Sequence, residues 1–133
     1  MDRTEESIIF IDTHIVLWLY ENRQSKFSKK IKDLMNSKEV FISPILMLEL
    51  AYLKEIKRIE DNADTIYNKL NNTFELQISP VRLSLVIKNA LNLSWTRDLF
   101  DRLIVANAAI NRNTLITADK KILKHYSFAL APK

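Results

Sequence analysis

The sequence predicts an α/β fold built on a mostly parallel sheet with helices on both of its faces. Short, continuous apolar runs, which are typical of buried strands, alternate with longer helical patterns along the chain. Such a pattern indicates parallel strands joined by helical crossovers. The 133 residues contain neither an internal repeat nor a linker, so we expect one domain spanning residues 1–133.

Strands and helices can be assigned along the whole chain. Pro44 and Pro80 are each placed in the first turn of a helix, where a missing backbone N–H costs little. The first half of the helix at 44–58 is apolar on almost every side, so we expect it to be buried. The strand candidates are residues 7–12, 40–43, 74–79, 114–117 and 128–131, and the helix candidates are residues 13–22, 25–37, 44–58, 61–72, 80–93, 97–110 and 118–126.

The composition excludes several kinds of site. The chain has no cysteine, which rules out disulfides and thiolate metal sites and suits a reducing cytosol, so we expect a cytoplasmic protein. It has no glycine, which rules out glycine-rich phosphate loops, and tight turns are expected at Asn, Asp or Ser instead. The polar start MDRTEES is unlike a signal peptide, and no apolar run approaches the ~20 residues of a membrane span, so no membrane association is expected.

The net charge of +4 and the pI of about 9.3 favour a polyanionic partner such as nucleic acid. The positive residues concentrate in three predicted helical stretches, KFSKKIK, KEIKR and KKILK. Each stretch is interpretable as a solvated helix face or as a rim that steers phosphates, and the sequence leaves both interpretations open.

Two acids directly follow predicted strands. Asp12 ends the run IIFID, and Asp119 lies just after TLIT. Ligands of open parallel sheets bind outside the carboxyl ends of the strands, so both carboxylates are expected at one edge of the sheet. Each acid could instead serve only as the N-cap of the helix that follows it.

Glu49 is unusual because it interrupts an apolar helix. It lies within PILMLELAYL, and an unpaired carboxylate is costly to bury. A cation, a hydrogen-bond donor or a metal ion would offset that cost. The competing interpretation places Glu49 on an exposed stripe with Glu55 and Lys57.

The stretch RDLFDRLIVANAAI carries two more acids, Asp98 and Asp101, which share a helix face because they are three residues apart. Asp98 is a candidate N-cap, and either acid gains from the positive end of the helix dipole. The small residues that follow Asp101 imply close packing, which places Asp101 at the start of a packed face.

Acids at strand ends and on apolar helices together predict a shared site. Carboxylates that lie close together repel one another and need a counter-charge to ionise. Because the chain has two histidines and no cysteine, a hard cation held by oxygen, Mg²⁺ or Mn²⁺, fits best. His14 and His125 lack a ligand spacing, so no zinc site is expected.

Four segments resemble motifs of the PIN domain family, and specifically of VapC-type toxin ribonucleases from bacterial toxin–antitoxin pairs. They are IIFIDTHIVLWL, SPILMLELAYL, RDLFDRLIVANAAI and LITADKKI, which span nearly the whole chain. The third is the most specific, because it resembles the family's D-x-F-D-R-x-I-x-A-x-A pattern. Family members usually have glycine between the last two segments, where this chain has NRNT; Asn111 or Asn113 is expected to take the left-handed conformation there.

The resemblance implies a three-layer α/β/α sandwich and an acidic site. The family's acidic positions fall on Asp12, Glu49, Asp101 and Asp119. Three further residues match supporting positions of the family. They are Thr117, a hydroxyl residue that helps to place water or metal; Thr13, a small polar residue after the first acid; and Asp98, an acid often found in this subgroup.

The same resemblance implies Mg²⁺- or Mn²⁺-dependent cleavage of RNA and inhibition by a cognate antitoxin peptide in a groove. It also implies a homodimer. Arg97 and Arg102 are candidates for binding flanking phosphates or for pairing with the acids. Apolar residues that could face a partner, or simply belong to the core, are Leu17, Trp18, Tyr20, Leu50 and Leu53.

Two other functions compete with an endoribonuclease. A phosphohydrolase of the HAD type also begins with a strand ending in aspartate, but it needs a second acid two residues later, where this chain has His14. The main alternative is a catalytically silent PIN-like module that binds RNA or an antitoxin. Retention of all four acids argues against it.

Overall fold

The computed structural model of the chain describes residues 7–133 and contains a five-stranded sheet in which every pairing is parallel. Most of the polar start MDRTEES lies outside the described residues. The strand order is β3-β2-β1-β4-β5. The strands are β1 (Ile8–Ile11), β2 (Glu39–Ile42), β3 (Gln77–Ile78), β4 (Thr114–Ile116) and β5 (Ala129–Leu130).

Helices connect successive strands. A short 3-10 helix, Gln24–Lys26, lies between the first two helices. The predicted three-layer α/β/α sandwich is confirmed. The helices are α1 (Thr13–Tyr20), α2 (Lys29–Ser37), α3 (Pro44–Glu55), α4 (Ala63–Phe74), α5 (Leu83–Ala90), α6 (Leu99–Ala109) and α7 (Lys120–His125).

Strand β1 lies at the centre of the sheet, between β2 and β4. Phe10 is paired with Phe41 on one side and with Leu115 on the other. Ile9 and Ile11 are buried, as are Leu115 and Ile116 of β4. Burial on both faces of the sheet explains why these runs are apolar throughout instead of alternating with polar residues.

Helix α3 is only partly buried, so the expectation that its first half is surrounded by core is wrong. Leu46 and Leu50 are fully buried, whereas Leu48 and Tyr52 are exposed. The four residues lie on two faces of one helix, because residues four apart point the same way. Leucine at position 48 therefore contributes to an apolar surface and not to the core.

The two prolines behave differently. Pro44 occupies the first turn of α3, as predicted. Pro80 does not begin a helix, because α5 starts only at Leu83. The Ser79 hydroxyl accepts a hydrogen bond from the backbone N–H of Val81 at 3.3 Å, which holds Pro80 in a turn.

Two other predicted boundaries move for similar local reasons. Phe74 ends helix α4, so β3 is shorter than the predicted strand at 74–79. Ser28 caps α2 by accepting a hydrogen bond from the N–H of Ile31 at 3.2 Å, which delays that helix beyond its predicted start at Ser25.

The left-handed positions contradict the expected turn chemistry. Asn22, Lys57, Glu75 and Arg112 have positive φ values of 57°, 62°, 55° and 55°. Only the first of these is a residue type that we expected in tight turns. Between α6 and β4 the left-handed residue is Arg112, so the prediction for Asn111 or Asn113 is wrong.

Asn113 has another role in that connection. Its backbone N–H donates to the Ala108 carbonyl at 2.9 Å, and its own carbonyl accepts from the Tyr126 hydroxyl at 2.6 Å. Both contacts fix the path of the chain at Asn113, so the left-handed turn falls one residue earlier, on the exposed Arg112.

The residues that could face a partner divide between core and surface. Leu50 is fully buried and belongs to the core. Leu17, Trp18, Tyr20 and Leu53 are half-buried. Among residues 7–133, no helix is long and apolar enough to cross a membrane.

Candidate active site

Two of the predicted acids follow neighbouring strands at one edge of the sheet. Asp12 comes directly after β1, and Asp119 lies three residues after the end of β4. Ile11 is paired with Ile116, so β1 and β4 end level with each other. The backbone N–H of Asp12 continues this pairing by donating to the Ile116 carbonyl at 3.0 Å. The carboxyl ends of both strands thus position acids in the same region.

Asp12 is buried, with 4% of its surface exposed, and both of its carboxylate oxygens accept hydrogen bonds. The backbone N–H of Thr13 donates to Oδ1 at 2.7 Å, which makes Asp12 the N-cap of α1. The Thr117 hydroxyl donates to Oδ2 at 2.6 Å. Burial raises the pKa of Asp12 above its usual value of 3.8, although these two hydrogen bonds oppose the rise.

Thr117 links the two strand-end acids. Its side chain is fully buried, and while its hydroxyl donates to Asp12, its oxygen accepts from the backbone N–H of Asp119 at 3.0 Å. The Asp119 carboxylate in turn accepts from the N–H groups of Lys121 and Ile122 at 2.8 and 3.1 Å, capping α7. One hydroxyl therefore fixes Asp12 relative to the start of α7.

Thr13 performs the equivalent task for Glu49. The Thr13 hydroxyl donates to Glu49 Oε1 across 36 positions of sequence, which ties α3 to the beginning of α1. Glu49 is half-buried, and burial is the largest cause of its raised pKa. Repulsion from Asp12 and Asp98 adds to the rise. The competing interpretation, an exposed stripe containing Glu49, is not what the structure contains.

Helix α6 contributes Asp98 and Asp101. Asp98 is the N-cap of α6, and its Oδ1 accepts from the backbone N–H of Asp101 at 3.1 Å. Asp101 lies in the first turn and is half-buried. Burial, followed by repulsion from Asp98, raises the pKa of Asp101 from 3.8 to about 7.

Asp101 is the acid whose pKa is raised by all the neighbouring carboxylates. Besides Asp98, the carboxylates of Asp12, Asp119 and Glu49 all raise its pKa. Within residues 7–133, the ion pairs are Arg23 with Glu21 and Lys29 with Asp33, so no basic side chain there pairs with the cluster. We refer to Asp12, Glu49, Asp98, Asp101 and Asp119 as the acidic cluster.

The donor set of the acidic cluster fits a hard divalent cation, because it offers carboxylate oxygens whose mutual repulsion a cation would relieve. The side chains do not form a ready-made coordination sphere. Among residues 7–133, no three His, Cys, Asp or Glu side chains are close enough together to hold a metal ion. Electrostatic repulsion acts over longer distances than metal ligation. The carboxylates are therefore close enough to raise one another's pKa values and, in this arrangement, too far apart to bind the same ion.

The comparisons with known proteins identify the fold family. The PIN domain family profile matches residues 9–129, which includes every member of the acidic cluster. The chain belongs to the PIN domain family.

A solved structure agrees with this assignment at the level of the fold. The PIN domain described here is similar to a chain in the crystal structure of VapBC2 from Rickettsia felis bound to a DNA fragment from its promoter, with a TM-score of 0.66 and 17% sequence identity. The match covers 93% of this chain and 96% of the other. No curated protein sequence matches the chain.

The two arginines of RDLFDRLIVANAAI lie in different environments in this PIN domain. Arg102 donates from Nε to the Ala90 carbonyl at 2.8 Å and from an Nη to the Leu91 carbonyl at 3.2 Å, which ties α6 to the end of α5. Two of the five N–H donors of Arg102 are therefore used in hydrogen bonds within the fold. Arg97 is exposed at the start of the segment. Phosphate binding by either arginine stays a prediction.

Two buried polar residues, one before α6 and one within it, were not predicted from the sequence. Thr96 accepts from the backbone N–H of Asp98 at 3.2 Å, and so supports the cap of α6. Asn107 donates to the Ser79 hydroxyl at 3.0 Å and interrupts the apolar face of α6. A signal for Asn107 was available, since it is the single polar residue within LIVANAAI.

Proposed function

We propose that this PIN domain is a metal-dependent endoribonuclease that acts as the toxin of a VapC-type toxin–antitoxin pair. PIN domains are generally nucleases, which supports a hydrolase that acts on nucleic acid. The observation that carries the proposal is the acidic cluster, and above all the rise of the Asp101 pKa to about 7. Strongly perturbed carboxyl groups cluster at functional sites, and carboxylates that repel one another need a counter-charge to ionise together.

The proposed ligands are Asp12, Asp101 and Asp119, with Glu49 binding directly or through water. When bound, Mg²⁺ or Mn²⁺ would activate a water molecule for attack on an RNA phosphodiester and neutralise charge on the phosphate. The hydroxyls of Thr13 and Thr117 would keep the carboxylates of Glu49 and Asp12 in fixed orientations.

Each acid of the cluster has a distinct local task. Asp12 and Asp119 are N-caps, so their positions are set by the helices that they begin. Asp101 accepts no hydrogen bond from residues 7–133 and is therefore the carboxylate most in need of a cation. Asp98 would adjust the charge of the site from its rim, because its exposed carboxylate already caps α6.

The proposal is tested by replacing two of the acids separately, Asp12→Asn and Asp101→Asn. Each substitution keeps the size of the side chain and removes a charged ligand, so we expect RNA cleavage in Mg²⁺ or Mn²⁺ to fall at least about 100-fold. The measurement is the initial rate of cleavage of a labelled single-stranded RNA pool.

A matched control is Asp64→Asn, which neutralises an exposed acid in the first turn of α4. This variant should cleave at the wild-type rate. Full activity in both Asp12→Asn and Asp101→Asn would disprove the assignment of the site.

The alternative is a PIN module that binds RNA or an antitoxin without turnover, and the lack of an assembled three-carboxylate group in residues 7–133 is the observation that favours it. Metal binding to the folded chain separates the two functions, because a ligand that binds the native state raises the melting temperature. An endoribonuclease should melt several degrees higher in millimolar Mn²⁺, and Asp101→Asn should remove most of that shift. An unchanged melting temperature supports the silent module.

A groove between α1 and the segment that precedes α4 supports the proposed antitoxin partner. The groove has a volume of about 300 Å³ and combines apolar Leu17 and Ile59 with charged Arg58, Glu60 and Asp61. The Tyr20 hydroxyl donates to Asp61 at its edge. A peptide with alternating apolar and charged residues would match this lining. Such a cytoplasmic complex would be found by purifying the toxin together with the product of the adjacent gene.

Exposed leucines support the proposed homodimer. Leu83 of α5, Leu91 directly after that helix and Leu99 of α6 are 67%, 68% and 69% exposed. Apolar cavities of about 310 and 380 Å³ lie beside them, the first also lined by Leu48 and the second by Leu91 and Leu99. We call the surface formed by Leu48, Leu83, Leu91 and Leu99 the leucine face. Exposed apolar surfaces of this kind are typical of protein interfaces.

A further inference from the structure

Trp95 and His125 form a flat stack between the segment that precedes α6 and the end of α7. Their ring centroids are 4.9 Å apart, and the ring planes differ by 9°. Trp95 lies three residues before Asp98, the N-cap of α6, and His125 is the last residue of α7, whose N-cap is Asp119. The stack therefore joins two elements that each begin with an acid of the cluster.

Both rings are attached to firmly held backbone. After Trp95 comes Thr96, which is buried and accepts from the N–H of Asp98 at 3.2 Å. After His125 comes Tyr126, whose hydroxyl donates to the Asn113 carbonyl at 2.6 Å. These contacts fix the path of the chain on either side of the stack, so the imidazole is presented in one orientation at little further cost in entropy.

His125 is exposed although one face of its ring lies against Trp95. Lys121 is one turn earlier on the same face of α7, and Lys124 directly precedes the histidine; both lysines are exposed. An aromatic ring with an open face beside positive side chains has the composition of a surface that binds single-stranded nucleic acid, where bases stack and lysines contact the backbone.

The separation of His125 from Asp119 along α7 suits a single strand with stacked bases. His125 is six residues from Asp119 along α7, which corresponds to roughly 9 Å at about 1.5 Å per residue. About three stacked nucleotides at about 3.4 Å each span that distance. A base on His125 would thus belong to the same strand as a phosphate at the acidic cluster.

We propose that the outer face of His125, supported by Trp95, stacks an unpaired base of the RNA substrate about three nucleotides from the phosphate that is cleaved. This inference rests on the proposed ribonuclease function and adds a subsite to it. The stack holds the substrate and takes no part in the chemical step. Its removal should therefore weaken substrate binding and leave the rate of the bound complex unchanged.

The test compares steady-state cleavage of a single-stranded RNA by the wild-type chain, His125→Ala and His125→Phe. We expect His125→Ala to raise KM by about five- to 150-fold, the loss typical of one base–aromatic stack, with kcat within about twofold. His125→Phe should restore a KM near that of the wild type, because phenylalanine keeps a flat ring. Phe74→Ala, which removes an exposed ring on α4, is the matched control and should leave KM unchanged.

A second arm uses RNA with one abasic nucleotide, moved along the strand. Loss of the base at one position should weaken binding to the wild-type chain and have no further effect on His125→Ala, because both changes remove the same contact. Melting temperatures of the three variants exclude a folding defect. A wild-type KM in His125→Ala overturns the subsite while RNA cleavage stands, whereas absence of cleavage by the wild-type chain in Mg²⁺ and Mn²⁺ overturns the ribonuclease proposal itself.

Discussion

At the scale of single residues, two threonines determine how the acids are held. Thr13 and Thr117 are both buried, and each hydroxyl donates to a carboxylate of another element, Glu49 for the first and Asp12 for the second. A hydrogen bond to an ionised carboxylate stabilises the charged form, which partly offsets the effect of burial. The two hydroxyls therefore hold these carboxylates in place and oppose part of the rise in pKa that burial causes.

The raised pKa of Asp101 has a consequence for stability. The folded chain binds the Asp101 proton more tightly than the unfolded chain, since its pKa is about 7 when folded and 3.8 in the reference state. The stability that this proton contributes is fully present below pH of about 4 and is lost as the pH rises through about 7. Metal-free protein should thus be less stable at pH 8 than at pH 5 on account of this residue.

We predict that Asp101→Asn, which cannot ionise, melts about 3–5 °C above the wild-type chain at pH 8 in metal-free buffer. This shift corresponds to a gain of about 1 kcal/mol in the free energy of unfolding, after allowance for solvent screening. The difference should shrink as the pH falls and disappear below about pH 3, where the wild-type carboxyl is protonated in both states. Melting curves across this pH range provide the measurement. Asp64→Asn should show no such trend, and a constant difference at every pH would mean that Asp101 does not titrate as described.

The position of an acid could be predicted from the sequence where it depends on a single helix. Asp12, Asp98 and Asp119 each begin a helix, and the pattern of apolar residues after them indicated this. The bond from Thr13 to Glu49 could not be predicted from spacing, because it depends on how α3 packs against α1. The spread of the carboxylates, too wide for a ready-made metal group within residues 7–133, likewise depends on packing.

At the scale of elements, the chain makes its turns without glycine. Lys57, Glu75 and Arg112 adopt left-handed conformations, which cost a residue with a Cβ roughly 1–2 kcal/mol compared with glycine. Glu75 is the C-cap of α4 with φ 55° and ψ 34°, and its N–H donates to the carbonyls of Leu70 and Asn71. Hydrogen bonding of the helix end therefore holds Glu75 in a conformation that its side chain disfavours.

We predict that Glu75→Gly raises the melting temperature by about 2–4 °C, because glycine relieves the left-handed strain at the end of α4 and loses only part of that gain to chain entropy. Thermal unfolding followed by circular dichroism measures the change. Lys38→Gly is the matched control: this residue is the C-cap of α2 with φ −117°, so glycine there should lower the melting temperature. A lower melting temperature for Glu75→Gly would contradict the strain argument.

The same elements show what sequence patterns can and cannot decide. Proline predicted the start of α3 correctly, because Pro44 lies in the first turn and the side chain of the preceding Ser43 makes no cap hydrogen bond that competes with the helix. At Pro80 the neighbouring Ser79 hydroxyl binds the N–H of Val81, and this local contact favours a turn. Asparagine was expected in the left-handed turn before β4, but the contacts of Asn113 move that turn to Arg112.

At the scale of the whole molecule, apolar surface is distributed unevenly. The leucine face lies on α3, α5 and α6, and the Arg102 guanidinium connects the last two of these by donating to the Ala90 and Leu91 carbonyls. The sequence indicated apolar helices but not which of their faces would be left uncovered. That distribution follows from the tertiary packing, in which α3 places Leu46 and Leu50 in the core and Leu48 outside it.

We predict that the double substitution Leu83→Lys and Leu91→Lys shifts the chain from the proposed homodimer to the 15.6 kDa monomer. Burying two lysines in an apolar interface without partners should weaken association at least about 100-fold. Light scattering during size-exclusion chromatography measures the mass. Phe74→Lys, a comparable change on exposed α4, should remain dimeric; a wild-type chain that is monomeric at high micromolar concentration would contradict the proposed homodimer.

The parallel direction of all five strands gives the molecule two unequal ends. Asp12, Ser43, Ser79 and Thr117 all directly follow strands and so lie at one edge of the sheet, whereas the opposite edge receives chain from connections such as residues 111–113. A saturation library scored separately for folded yield and for RNA cleavage should therefore be polarised. Substitutions at the edge where the strands begin would lower folded yield and cleavage together. Substitutions beside the acids would lower cleavage and leave folded yield unchanged. Residues at the first edge would then be constrained by folding, and residues at the second could vary with the chemistry.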